Sequence, residues 1–418
     1  MKIKLKKLFT KADLVIKTKT FQDTGIVFGG NVISSILGAI FFFLLAHQSG
    51  AYLFGVFSVV IAISTTAVDL FDIAINNAIV GFGSNELSRA AVVKRGLIQK
   101  IVLAFGLSIL LWIFAPVIIR ILDKSELLSP LRLAVWLIPA RSFFSLVKTI
   151  LQSMKKFFLD AIVDVFSSAI RLLGFYLFPL GGLSLIDGAL LAYISSLALS
   201  SLLAIHVLIK ILLTPSKTKL PESFHLYQSW MVVSFVSSAI ASRLDIFFLT
   251  RLTSLTVVGW YQAAFRLFMP VQQLASSLSR VFAPRFASFV GELDVKKYLK
   301  KSLYLSGLLA MSIFLTLPFL GIGIAFLYGK DFIPAISIAF GLSIYFAVFL
   351  FSTPYWSALL YFRKDAKAFA RLSLVQLILM IVLLPITIKL FGVAGAVASL
   401  VVALLSTVFM VRNIVKIL

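Results

Sequence analysis

The chain has 418 residues, 61% of them hydrophobic and only 13% charged, with a mean hydropathy of +1.06. A soluble protein carries roughly twice that share of charge, so a large extramembrane domain is excluded and the chain reads as an all-α polytopic membrane protein. The formal net charge of +23 is assigned to loops that fix topology and meet anionic lipid, not to nucleic acid. The absence of cysteine removes disulfides, thiolate catalysis and zinc–sulfur sites.

The first 20 residues are basic, with Ile3, Leu5, Leu8, Phe9 and Leu14 between lysines. They read as a segment lying on the inner leaflet. The apolar run that follows is too long for a signal peptide and lacks a small-residue cleavage site. Apolar stretches then predict helices at 21–47, 51–80, 98–121, 130–153, 157–179, 184–213, 228–251, 256–289, 302–328, 332–361, 367–390 and 392–415. Each is long enough to cross a hydrocarbon core of about 30 Å, giving about twelve transmembrane helices. Pro270, near the middle of the eighth span, is the best candidate for a functional bend.

The gaps alternate in charge. One set begins with the lysines of the first 20 residues and includes Arg89, Lys94, Arg95 and Lys100, then Lys155 and Lys156, Lys210, Lys217 and Lys219, Arg280, Arg285, Lys296, Lys297, Lys300 and Lys301, Arg363, Lys364, Lys367 and Arg371, and Arg412 and Lys416. The other holds only Arg120, Lys124, Arg132, Arg251, Lys330 and Lys389. Basic loops are cytoplasmic, so both termini are expected in the cytoplasm.

The polar stretch Thr214–Leu226 carries Pro215 and Pro221 and divides the chain. The expected organisation is a basic N-terminal segment at 1–20, a six-helix bundle at 21–213, a cytoplasmic linker at 214–227 and a second six-helix bundle at 228–418. The halves resemble each other. Gly55 in "YLFGVFS" matches Gly259 in "VVGWYQ", 204 positions on, and Pro130 matches Pro334 at the same offset. Even span numbers in each half make this a parallel repeat, a transporter signature.

Five cations lie inside spans: Arg141, Lys148, Arg171, Arg243 and Arg266. A charge at mid-bilayer costs about 2.5–3.5 kcal/mol on insertion scales and so faces a partner or a wet cavity. Arg141, Ser145, Lys148 and Gln152 recur at helical spacing, as do Asp160, Asp164, Ser167 and Arg171. Asp160 and Asp164 suit a helix start as well as a polar face, with Arg171 as a candidate ion-pair partner. Gln262, Arg266, Gln273, Ser277 and Arg280 form the longest such stripe, and Asn31, Ser34, Ser35 and Gly38 form a small polar face on the first span. Asp69, Asp72 and Asn76 share one side of the second span; Asp245 aligns with serines on the seventh. The excess of cations over acids points to an anionic, phosphate-bearing ligand. The three histidines show no metal-ligand spacing.

Three passages carry a family resemblance: "NVISSILGAIFFFLLAHQSGAYLFGVFSVVIAI" (Asn31–Ile63), "DIFFLTRLTSLTVVGWYQAAFRLFMP" (Asp245–Pro270) and Pro284-Arg285-Phe286. On these the chain resembles the polysaccharide-biosynthesis, O-antigen flippase (Wzx-type) branch of the multidrug/oligosaccharidyl-lipid/polysaccharide exporter superfamily. It departs at Asp72-Ile73-Ala74, where the family often has Asp-x-Gly, and at Gly81, where an arginine is common. The resemblance implies two parallel-repeat bundles around a central cavity lined largely by the first, second, seventh and eighth spans. It implies alternating access that moves an undecaprenyl-diphosphate-linked oligosaccharide to the outer leaflet, with no cofactor. Membrane lipids and glycan polymerase or export machinery are the implied partners.

On that basis Arg243, Arg266, Arg141, Lys148 and Arg171 are the candidates for gripping the diphosphate or glycan. Asn31, Gln262 and Gln273 are candidate cavity polar groups, and Asp245, Asp72 and Asp69 are candidates for carrying a coupling proton or sodium ion. Three alternatives stay open: a lipid II or teichoic-acid flippase, a multidrug antiporter, which is expected to turn acids rather than arginines to its cavity, and a membrane polysaccharide polymerase. The last usually needs a large outward loop, and no outward gap here exceeds about a dozen residues.

Overall fold

In hydrocarbon only a helix satisfies every backbone N–H and C=O within its own segment, and the apolar runs of this chain fold accordingly. A computed structural model describes residues 19–83, 86–214, 236–289, 291–363 and 365–416; the basic segment at 1–18 and nearly all of the 214–227 linker lie outside them. Among the described residues all regular structure is helical. The main helices are α1 (Lys19–Gly83), α2 (Glu86–Leu122), α3 (Leu128–Ala134), α4 (Leu137–Ser153), α5 (Phe157–Leu180), α6 (Leu185–Leu202) and α7 (Ile205–Leu213). They continue with α8 (Leu244–Leu252), α9 (Leu255–Leu267), α10 (Met269–Ser288), α11 (Glu292–Leu315), α12 (Leu320–Tyr328), α13 (Ala335–Ser357), α14 (Ala366–Phe391) and α15 (Val393–Lys416).

Nine stretches among the described residues are long and apolar enough to cross a membrane. One of them, Gly29–Val80, holds 52 residues, which at about 1.5 Å per residue is enough for two crossings. The loop expected between the first two spans is reduced to Gly50, whose φ of 68° breaks α1 without ending it. That left-handed conformation costs glycine little because it has no Cβ. The spans expected at 228–251 and 256–289 are not among the nine: residues 228–235 lie outside the described residues, and breaks divide what is described of both. In the eighth span the break is Phe268, where Pro270 supplies no N–H to the preceding turn. In the sixth span Ser200 and Ser201 turn their hydroxyls onto Ser196 O and Leu197 O just before the break between α6 and α7. Such back-bonding bends helices.

By contact the chain groups into two units. The first comprises the described parts of Met1–Phe42, Phe71–Ile113 and Arg132–Ser229. Here α5 packs along α6 and α6 along α4. The small face of α1 serves packing: a Cβ on Gly30 would stand 2.5 Å from Ala161 Cβ, and Ser34 Oγ donates to Asp164 O at 3.2 Å.

The second unit comprises the described parts of Phe43–Leu70, Phe114–Leu131 and Trp230–Leu418. One end of it is an apolar cluster of Phe282, Phe286, Val295, Tyr355, Leu359, Leu372, Val411 and Val415. The other end gathers the residues around Gly50 with those around Thr253 and Asp331. Trp260 Nε1 donates to Asp331 O at 2.7 Å, Arg251 pairs with Asp123 at 3.0 Å, and the Phe54 ring meets Phe332 at 5.7 Å.

Between these contacts α1 and α9 touch backbone to backbone. A Cβ on Gly55 would overlap the Leu255 carbonyl oxygen and stand 3.1 Å from Gly259 N; a Cβ on Gly259 would overlap the Ala51 carbonyl oxygen and stand 3.2 Å from Gly55 N. The offset of 204 that carries Gly55 onto Gly259 also carries Ala51 onto Leu255. The same offset of 204 therefore carries one half of the contact onto the other.

Candidate functional site

The first unit carries a half-open cavity of about 490 Å³ lined by Arg141, Lys148 and Arg171 together with Asn76, Asn77, Ser145, Thr149, Gln152, Phe144 and Tyr193. Ile73, Val80 and Leu197 complete the wall, so three cations and no carboxylate face the space. The side chains come from the end of α1, from α4, α5 and α6. Helical spacing on α4 aims Arg141, Ser145, Lys148 and Gln152 to one side, while α5 brings in Arg171. Three of the five expected intramembrane cations thus meet at one place. Arg243 and Arg266 belong to the second unit and do not line it. The resemblance implied a cavity lined by the first, second, seventh and eighth spans; this one draws on the second, fourth, fifth and sixth.

The three cations are held differently. Lys148 Nζ bonds Asp164 Oδ2 and stands 3.7 Å from Asp160 Oδ1, and Gln152 Nε2 donates to Asp160 Oδ2 at 3.3 Å. The two acids of α5 therefore answer Lys148, not Arg171. Arg171 lies over the Tyr193 ring at 3.9 Å and near the Phe41 ring at 5.8 Å. Cation–π contact of this kind contributes about 0.5–2 kcal/mol, but an aromatic face supplies no counter-charge. The buried Arg171 Nε makes no hydrogen bond. Arg171 thus keeps its positive charge beside the cavity. Since Lys148 already has two carboxylates, Lys148→Met is expected to lower transport several-fold less than Arg171→Met, checked by assaying both variants side by side.

Behind one wall lies a buried ion pair. Lys100 Nζ stands 2.6 Å from Asp72 Oδ1, and the two side chains are only 3% and 6% exposed. Ser142 Oγ donates to Asp72 at 3.0 Å, Asn76 Nδ2 donates to it at 2.9 Å, and Ser145 Oγ also bonds it. Lys100 reads in the sequence as a cytoplasmic loop cation; α2 begins at Glu86, so Lys100 is well inside a helix. Removing one partner of a buried pair costs about 3–5 kcal/mol, whereas replacing both with neutral groups costs far less. Lys100→Ala is accordingly expected to lower thermal stability sharply, and Lys100→Met combined with Asp72→Asn to recover most of it, as read by thermal unfolding in detergent.

The remaining expected residues fall elsewhere. Asn31 is half-buried beside the Gly30 packing contact in the first unit. In the second unit Gln262 is buried and Arg266 lies 5.8 Å from the Phe54 ring. Gln273, Ser277 and Arg280 are exposed and lie beyond the break at Phe268. Asp245 is buried, accepting from Tyr261 Oη and from Ile246 N at 2.8 Å. Arg243 immediately precedes α8 and is half-buried; Asp69 is half-buried in the second unit. Among the described residues no group of three or more metal-ligating side chains converges.

Known proteins share this architecture. A lipid II flippase MurJ in an inward closed conformation superposes with a TM-score of 0.74 at 18% identity, over 93% of this chain and 87% of that one. An inward-facing multidrug resistance MATE family transporter of the MOP superfamily gives 0.65 at 15% identity, over 90% and 98%. A MOP superfamily transporter from Pyrococcus furiosus, described as having a binding pocket of reverse polarity, gives 0.56 at 13%, over 94% and 93%. At such identities the likeness speaks for the fold, which is that of a multi-pass membrane transporter. No curated protein sequence matches the chain. The family model described as polysaccharide biosynthesis protein matches residues 20–290. The chain belongs to the polysaccharide biosynthesis protein family.

Proposed function

We propose that this protein is a flippase that moves a polyprenyl-diphosphate-linked oligosaccharide, of the O-antigen kind, from the inner to the outer leaflet of a prokaryotic cytoplasmic membrane by alternating access. The cavity that presents Arg141, Lys148 and Arg171 without a carboxylate carries this reading. A diphosphate crosses hydrocarbon only if its charge is met on the way, and an arginine fork matches phosphate oxygens. The apolar tail needs no such help and stays in lipid.

With both termini in the cytoplasm, the end of the second unit around Gly50, Asp123, Thr253 and Asp331 faces outward. A cationic lining disfavours the multidrug antiporter alternative, whose cargo calls for acids.

Binding tests the reading. The purified protein is expected to be stabilised against heat by undecaprenyl diphosphate and not by undecaprenol, and Arg141→Ala with Arg171→Ala is expected to remove the difference. Equal stabilisation by the alcohol and the diphosphate would overturn it.

A further inference from the structure

The Asp72 site is built as a cation site. Its oxygens are a carboxylate, the Ser142 carbonyl at 3.2 Å from Lys100 Nζ and the Ser145 hydroxyl at 2.6 Å. With Asp72 Oδ1 at 2.6 Å they give the ammonium one acceptor for each of its three N–H groups. A fourth oxygen, Asn76 Oδ1, is buried next to them and accepts no hydrogen bond. Carboxylate, backbone carbonyl, hydroxyl and amide oxygens are the ligands that hard cations select. Transporters place such sets inside helix bundles for their coupling ions.

We propose that the Lys100 ammonium permanently fills a monovalent-cation site at Asp72, so that the protein carries a tethered cation where a sodium ion would otherwise bind. Lys100 is on α2, and the ligands come from α1 and α4, so the ammonium ties three helices together. Asn76 and Ser145 also line the cationic cavity. The tethered charge thus sits one residue behind the wall that faces the ligand. The consequence for transport rests on the flippase reading: a sodium gradient acting at Asp72 is not needed to drive the cycle.

Thermal unfolding of the purified full-length chain in sodium chloride and in choline chloride at equal ionic strength tests the site without any substrate. Failure here therefore leaves the flippase reading standing, and failure of that reading leaves the site standing. The wild type is expected to unfold at the same temperature in both salts. Lys100→Ala empties the cage and is expected to gain roughly 2–4 °C in sodium over choline, a gain lost when Asp72→Asn is added. No sodium-specific gain in folded Lys100→Ala would overturn the proposal. So would a sodium-specific gain in the wild type that Asp72→Asn abolishes. Should Lys100→Ala not fold in either salt, Lys100→Ser, which returns one hydroxyl to the cage, takes its place. Should neither fold, the wild-type comparison decides alone.

Discussion

Arg171→Ala is expected to abolish transport while the protein inserts and folds normally. Among the described residues Arg171 is held by two aromatic contacts, and its loss opens no buried carboxylate, because Asp160 and Asp164 are answered by Lys148. Its contribution to a bound diphosphate is of another order. Removing one side of a desolvated charge pair costs about 2–5 kcal/mol, so affinity is expected to fall at least about thirtyfold. Arg171→Lys keeps the charge but loses the planar fork, which makes both the ring contact and bidentate bonds to phosphate oxygens. It is expected to fall between the wild type and alanine. Full transport by Arg171→Ala at normal expression would remove this residue from the mechanism.

Gly55→Ala and Gly259→Ala are each expected to disfavour the closed arrangement of α1 against α9. The obstacle in each case is a backbone carbonyl, which has no rotamer to adopt: the new Cβ would overlap Leu255 O or Ala51 O, with the carbonyl carbon only 2.9 Å away. Carbon and oxygen in contact stand about 3.3–3.6 Å apart, so the helices must part by about 1 Å or more. Overpacking of this kind costs about 1–3 kcal/mol, and rigid backbone on both sides places it at the upper end. At about 3 kcal/mol the closed arrangement loses roughly a hundredfold in population. Because the contact is reciprocal, the second substitution is expected to add little to the first. The chain has no cysteine, so a cysteine pair at Asp123 and Arg251, which form a salt bridge in the closed arrangement, reports it through a short bifunctional maleimide. Cross-linking is expected to fall in both variants, and unchanged yield would contradict the account.

Sequence made the helices legible because apolar length alone decides them in a membrane. The fifth span was expected at 157–179 and lies at Phe157–Leu180; the eleventh was expected at 367–390 and lies at Ala366–Phe391. The glycines that anchor the sequence repeat prove to touch each other, since close backbone approach is what glycine at such a position serves. Breaks inside spans were harder to see. Pro270 signalled one, but its effect falls at Phe268, two residues earlier, and it separates Gln273, Ser277 and Arg280 from the helix that carries Arg266. Periodicity assumes an unbroken helix, and the stripe from Gln262 to Arg280 runs across two.

The site was legible in part. The α4 stripe and Arg171 do converge on one cavity, because a charge inside a span must find a polar place. The pairing within it was not, since which acid answers which cation depends on the rotation of α4 against α5. Lys100 was missed for a related reason: a lysine at the start of an apolar run looks like a topology signal until the helix is seen to begin 14 residues before it, at Glu86.

The most direct measurement is lipid flipping in proteoliposomes. A fluorescent undecaprenyl-diphosphate oligosaccharide is placed in the inner leaflet and scored by its exposure to an impermeant quencher. Protein-dependent exposure that disappears with Arg141→Ala and Arg171→Ala together is the predicted result. Exposure that persists undiminished in that double variant would contradict the account of the cationic cavity.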